Sequence, residues 1–202
     1  MDRGLVMEKR HTILARFLHW GFIILYSYGI FKQIDELSQL EDTGLLIFEV
    51  IFASLFLVIV LIRYFYMRRF ETFLGASEPV HIVHKYFAKT IHTSMYACLI
   101  LLPLTGLMIA GLFTQGYTDE DGILISSILG VHEFSATLSY ILIATHIAAA
   151  IYSRIKGEGI WSAMVPLLNN EKPTSNEIII KISTLENKIY DKVEDLFTPK
   201  KE

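Results

Sequence analysis

The chain has 202 residues, 52% of them hydrophobic and 19% charged, with mean hydropathy +0.44 and a formal net charge of −3. That length suits one domain, that apolar content excludes a disordered chain, and that charge gives no field to gather phosphates, so nucleic acid is excluded as a partner. The single cysteine, Cys98, rules out an internal disulfide framework and any four-cysteine metal or iron–sulfur site.

The apolar residues lie in four long blocks, and a membrane-spanning helix needs about 20 of them in a row. The first block is Ile13–Phe31, interrupted by Arg16 and His19, with no small-residue cleavage site, so it is expected to stay as a membrane helix. The second is Gly44–Ile62, whose only charge is Glu49. The third, Thr90–Phe113, carries His92, and the fourth, Ile123–Tyr152, holds His132, Glu133 and His146. Four such blocks predict an all-α integral membrane four-helix bundle, with helices over about 12–31, 44–67, 86–112 and 123–154 inside a membrane domain of residues 1–156. Lys and Arg crowd the N-terminal arm (Arg3, Lys9, Arg10, Arg16), the second connection (Arg63, Arg68, Arg69, Lys85, Lys89) and the end of the fourth block (Arg154, Lys156). The first connection has only Lys32 against Asp35, Glu36, Glu41 and Asp42, and the third has Asp119, Glu120 and Asp121 with no base. Both termini and the second connection are therefore expected in the cytoplasm.

Residues 157–202 read differently. Trp161 and the stretch to Leu168 look interfacial, and Pro166 and Pro173 punctuate the exit. Ile182, Leu185, Ile189, Val193 and Leu196 then recur at helical spacing, which predicts a C-terminal amphipathic helix on the cytoplasmic side. It would lie on the membrane or dock a partner, with a solvated tail as the alternative.

Ionisable side chains inside a bilayer are functional candidates by default. Here they are His19, Glu49, His92, His132 and His146. His132 and His146 are 14 residues apart, so they face within about 40° of each other and stand about 21 Å apart along one helix. Two imidazoles at opposite depths suggest one site per leaflet, and bis-histidine haem b suits them better than zinc, for which no third and fourth ligands gather. His19, near the cytoplasmic start of the first helix, matches His146 in depth; His92, in the same half of the third helix, competes with it and is otherwise read as a quinone or propionate contact. Arg63 faces the same way as Glu49 and is read as a propionate partner or as a snorkelling cation. Glu49 lies about as deep as His132, and a hydrogen-bonded Glu49–His132 pair would carry protons. His11, His81 and His84 are read as interfacial and solvated.

Three segments resemble one family. RFLHW opens the first helix, HTSMYACLILLPLTGLMIA lies in the third, and HEFSATLSYILIATHIAAAIYSRI in the fourth. Over roughly residues 8–168 they resemble bacterial cytochrome b561 and the cytochrome b subunits of nickel–iron hydrogenases, and the haem subunit of membrane formate dehydrogenase shares the histidine spacing. The resemblance implies a four-helix bundle with two haems b that moves electrons between quinone and another carrier. It implies that His19 and His146 bind the cytoplasmic-side haem. His132 would bind an outer haem with a histidine of helix two, but that position falls on Glu49, so the outer haem is expected to be absent, five-coordinate or ligated from elsewhere. The reading is thus a bacterial inner-membrane b-type cytochrome with one haem, or two in the alternative, that exchanges electrons with quinone and a partner subunit. A membrane anchor of a respiratory or hydrogenase-like complex, and a stand-alone superoxide–quinone oxidoreductase, are the other readings.

Overall fold

The computed structural model describes residues 11–34, 36–70, 76, 80–167 and 171–197. Arg3, Lys9, Arg10, Asp35 and Leu168, used above, lie outside the described residues. Among the described residues every regular element is helical: α1 (Ile13–Phe31), a 3₁₀ turn (Leu37–Glu41), α2 (Thr43–Met67), α3 (Ile82–Thr114), α4 (Ile123–Lys156), α5 (Ile160–Met164) and α6 (Glu177–Phe197). The first four helices have 19, 25, 33 and 34 residues and are long and apolar enough to cross a bilayer. At 1.5 Å per residue α3 and α4 run to about 50 Å, well past the roughly 30 Å of hydrocarbon.

Local chemistry sets the helix ends. Thr12 Oγ1 accepts from the Ala15 amide at 3.1 Å and starts α1. Asp42 caps α2 by accepting from the Gly44 and Leu45 amides at 2.8 and 3.3 Å, and Asn176 Oδ1 accepts from the Ile178 amide at 2.9 Å to start α6. Two glycines close α3 and α4 in left-handed backbone, Gly116 at φ 91° and Gly157 at φ 78°. Each closure carries the paired amide-to-carbonyl bonds of a Schellman turn, Tyr117 to Leu112 and Gly116 to Phe113, then Glu158 to Ser153 and Gly157 to Arg154. A Cβ on Gly157 would also collide with the Lys172 carbonyl, so backbone passes where only glycine leaves room.

The chain divides into two compact units. The unit of Phe17–Arg69 and Thr93–Ala144 contains α2 and parts of α1, α3 and α4. One apolar cluster there joins Phe22, Phe56, Val60 and Leu99; a second joins Leu37, Leu40, Ile109 and Ile125. Small buried residues, Ser135 and Ser139 on α4 with Thr105 and Ala110 on α3, allow close backbone approach in the manner of membrane helices. Tyr26 Oη donates to Ser139 Oγ at 2.6 Å, while Ser139 Oγ donates to the Ala136 carbonyl. Buried Pro103 interrupts the α3 ladder, and nearby Thr105 Oγ1 bonds the Leu101 carbonyl at 2.7 Å. Only 11% of the most apolar window of α1 and of α2 is buried inside the protein, against 33% for α3; α3 is the most enclosed helix, and the others present aliphatic surface to lipid.

The unit of Met1–Arg16, Phe70–His92 and Thr145–Glu202 is built around α6. Its histidines are engaged, which corrects the expectation that they are solvated. His81 Nε2 lies 2.9 Å from Glu194 and 3.4 Å from Asp191, and its ring stacks on Tyr190. The His84 ring also lies against Tyr190. His11 is 6% exposed and meets Phe70 edge-on; burial, then the Arg16 charge, holds it below its ordinary 6.5. The contacts of His81 and His84 were illegible because α6 comes from more than 100 residues further along the chain, over half its length.

Glu186 is the hub of this unit. Tyr152 Oη, Tyr190 Oη and Lys156 Nζ all donate to its carboxylate at 3.0–3.2 Å. Burial alone would raise the Glu186 carboxyl, but the Lys156 and Tyr190 bonds outweigh it and hold it below its ordinary 4.5. A depressed carboxyl stabilises the docked form above its unfolded pKa, and that contribution is lost as pH falls through the folded value. Protection of α6 from protease is therefore expected to be full near neutrality and to fall only below about pH 4.5, and Glu186→Gln removes this pH step.

Candidate functional site

His19 is the membrane histidine with the most specific contact. It lies in the second turn of α1, and the Arg63 guanidinium of α2 donates from Nη2 to its Nδ1 at 2.6 Å. Arginine has no acceptor, so Nδ1 is the lone-pair nitrogen and the neutral ring carries its proton on Nε2. Arg63 is 9% exposed and sits over the Phe22 and Tyr96 rings at 5.2 and 5.3 Å. Its Nε is buried without a hydrogen-bond partner, and among the described residues no carboxylate pairs with it. Arg63 is thus a buried cation and not a snorkelling one, with no anion beside it among the described residues.

His92 on α3 and His146 on α4 meet edge-to-face with ring centres 5.0 Å apart. Two metal–nitrogen bonds of about 2 Å, with the ring radii added, would hold axial imidazole centres roughly 6 Å apart. The two rings pack directly against each other, closer than that spacing.

At the other end of α4, His132 Nδ1 lies 2.8 Å from Thr105 Oγ1. The one hydroxyl proton of Thr105 goes to the carbonyls of Leu101 and Leu102, so His132 donates from Nδ1 and keeps its lone pair on Nε2. Gly106 lies beside the ring, and a Cβ there would stand 3.8 Å from His132 Cε1. The expected Glu49–His132 pair is not formed. Glu49 Oε2 instead takes an ion pair from Lys32, just past α1, and Lys32 Nζ lies 4.3 Å from the Phe52 ring centre. Glu49 Oε1 is buried without a partner. A cation within reach outcompetes a neutral imidazole for a carboxylate in low dielectric, which is why depth matching alone misassigned the partner.

The structure thus brings His19 to Arg63, His92 to His146, His132 to Thr105 and Glu49 to Lys32. Thr105 escaped the sequence reading, and Lys32 entered it only as a charge of the first connection. A threonine two residues after an in-helix proline was the available signal for the first, and the lone base of the first connection for the second. Among the described residues no three His, Cys, Asp or Glu side chains gather to hold a bare metal ion. A family model described as prokaryotic cytochrome b561 matches residues 10–167 of the chain. No curated protein and no solved structure matches it.

Proposed function

This chain belongs to the prokaryotic cytochrome b561 family, a family of multi-pass membrane b-type cytochromes of electron transfer, and from that premise we propose that His19 and His146 hold one haem b that exchanges electrons with quinone. The observation that carries the reading is the buried Arg63 guanidinium beside His19, with an unpartnered Nε and, among the described residues, no carboxylate paired with it. A buried cation without an anion is strongly unfavourable. Haem b brings two propionates, so the residues fit the group in charge as well as in donor chemistry.

His19 would hold the iron through Nε2 with its ring proton on Nδ1, and the Arg63 guanidinium beside it would then be available to a carboxylate. Arg63 would thus orient His19 and neutralise an acid of the bound group. Bound haem supplies one-electron chemistry, tuned by its axial imidazoles and nearby charge. His92, packed against His146, is placed to position that ring and to hydrogen-bond a quinone carbonyl. The basic connections and termini set the haem on the cytoplasmic side of a bacterial inner membrane. Glu49, ion-paired with Lys32, is not an axial ligand, which supports one haem per chain and electron transfer confined to one half of the bilayer.

Optical spectroscopy with haem quantitation on the purified chain tests this: a Soret band with about one haem per polypeptide is expected, and a colourless preparation from haem-replete cells overturns it. Arg63→Gln is expected to lower the haem midpoint potential on the order of 60 mV, the one-electron equivalent of a tenfold change, with partial recovery in Arg63→Lys. An unchanged potential would place the guanidinium away from the haem. The docked α6 lies outside the family-matched residues, which favours a second reading in which the chain also anchors a partner subunit.

A further inference from the structure

We propose that α6 is an interfacial helix that seats its apolar stripe in an anionic lipid surface. At 100° per residue its 21 residues divide into three faces. Glu186, Tyr190 and Glu194 share the first, and it is consumed within the protein: Lys156 and Tyr152 satisfy Glu186, His81 pairs with Glu194 and stacks on Tyr190. Ile178, Ile182, Leu185, Ile189 and Leu196 form the second, and all five are uncovered, between 46% and 80% exposed. Lys181, Lys188 and Lys192 form the third, at the border of the apolar stripe opposite the docked face, and all three are exposed.

Five uncovered aliphatic side chains need an occupant, and two observations point to lipid. The first is charge. Glu186, the acid nearest the stripe, is engaged by Lys156, and on the opposite border the three lysines lie next to the stripe with Glu177 and Asp195 beyond them. Lysines with aliphatic stems at that border reach headgroup phosphates while the stripe enters the acyl boundary. The second is continuity with the bilayer. Glu186 docks on Tyr152 and Lys156 in the last turns of α4, where Ile147, Ile151 and Ile155 are 51%, 45% and 50% exposed as lipid-facing surface. The same unit exposes Ile82, Tyr86 and Phe87 at the start of α3. The docked face thus fastens α6 to the ends of two helices that are long and apolar enough to cross a bilayer. This proposal does not depend on the haem reading.

The test uses the full chain in nanodiscs of phosphatidylcholine alone or with phosphatidylglycerol. An environment-sensitive dye is placed at Leu185→Cys on the stripe or at Asn187→Cys outside it; native Cys98 is buried. Brominated lipid is expected to quench the Leu185 label strongly in the anionic discs and the Asn187 label little. Changing Lys181, Lys188 and Lys192 to Gln is expected to weaken seating about fivefold per lysine. A Leu185 label quenched by aqueous iodide and not by brominated lipid overturns the proposal. So does a Leu185–Leu185 crosslink between copies without lipid quenching, which would assign the stripe to a second chain.

Discussion

Replacing His146 by leucine is expected to abolish the Soret band, and replacing His19 by leucine to do the same. Leucine is favourable in a spanning helix, so α1 and α4 persist and the loss reads on ligation. Outer-shell partners of a metal typically account for 10–100-fold in affinity, so loss of an axial imidazole should exceed roughly 100-fold and leave the pyridine haemochrome at background. His92→Leu separates the two roles in that half of the membrane. Its ring packs directly against His146, with centres 5.0 Å apart, so haem content should survive while quinone-linked turnover falls. Haem loss in His92→Leu with retention in His19→Leu would exchange the two assignments.

The double change Lys32→Met with Glu49→His is expected to raise the haem count from about one per chain to about two. His132 already presents its Nε2 lone pair, because Thr105 holds the ring proton on Nδ1, and Gly106 leaves space beside it. What is missing is the second imidazole, since Glu49 is tied up as the carboxylate of an ion pair. Changing Glu49 alone would leave Lys32 partly buried without a counter-charge, a loss of about 3–5 kcal/mol for a buried pair, so both residues must change. Haem quantitation on the double variant reads the result. A wild-type count of two, or a variant count that stays at one, would show that Glu49 is not what closes the outer site.

Four spanning helices were legible because a bilayer demands about 20 apolar residues in a row and tolerates few charges among them. The same rule exposed His19, Glu49, His92, His132 and His146 as the residues to explain, and the spacing on α4 put His132 and His146 at opposite depths. Helix periodicity likewise predicts most of the α6 stripe, although Val193, counted in it, is half-buried and Ile178 joins it. Family resemblance over RFLHW and the fourth-helix segment agreed with the family model over residues 10–167.

The partners of those residues were not legible. Arg63 is 44 residues from His19, Thr105 is 27 from His132, and Lys32 is 17 from Glu49. Depth along a helix can be counted from sequence, but the rotation of one helix against another cannot, since side-chain packing sets it. That rotation decided which nitrogen of His19 and of His132 carries the proton, that Glu49 takes a lysine and not a histidine, and that Glu194 and Glu186 of α6 face His81 and Lys156. The sequence alone determined which ionisable groups enter the membrane, because their cost there is a property of each residue. Only the tertiary structure decided what neutralises or orients each of them, because hydrogen bonds and ion pairs act over about 3 Å and depend on how the helices turn toward one another.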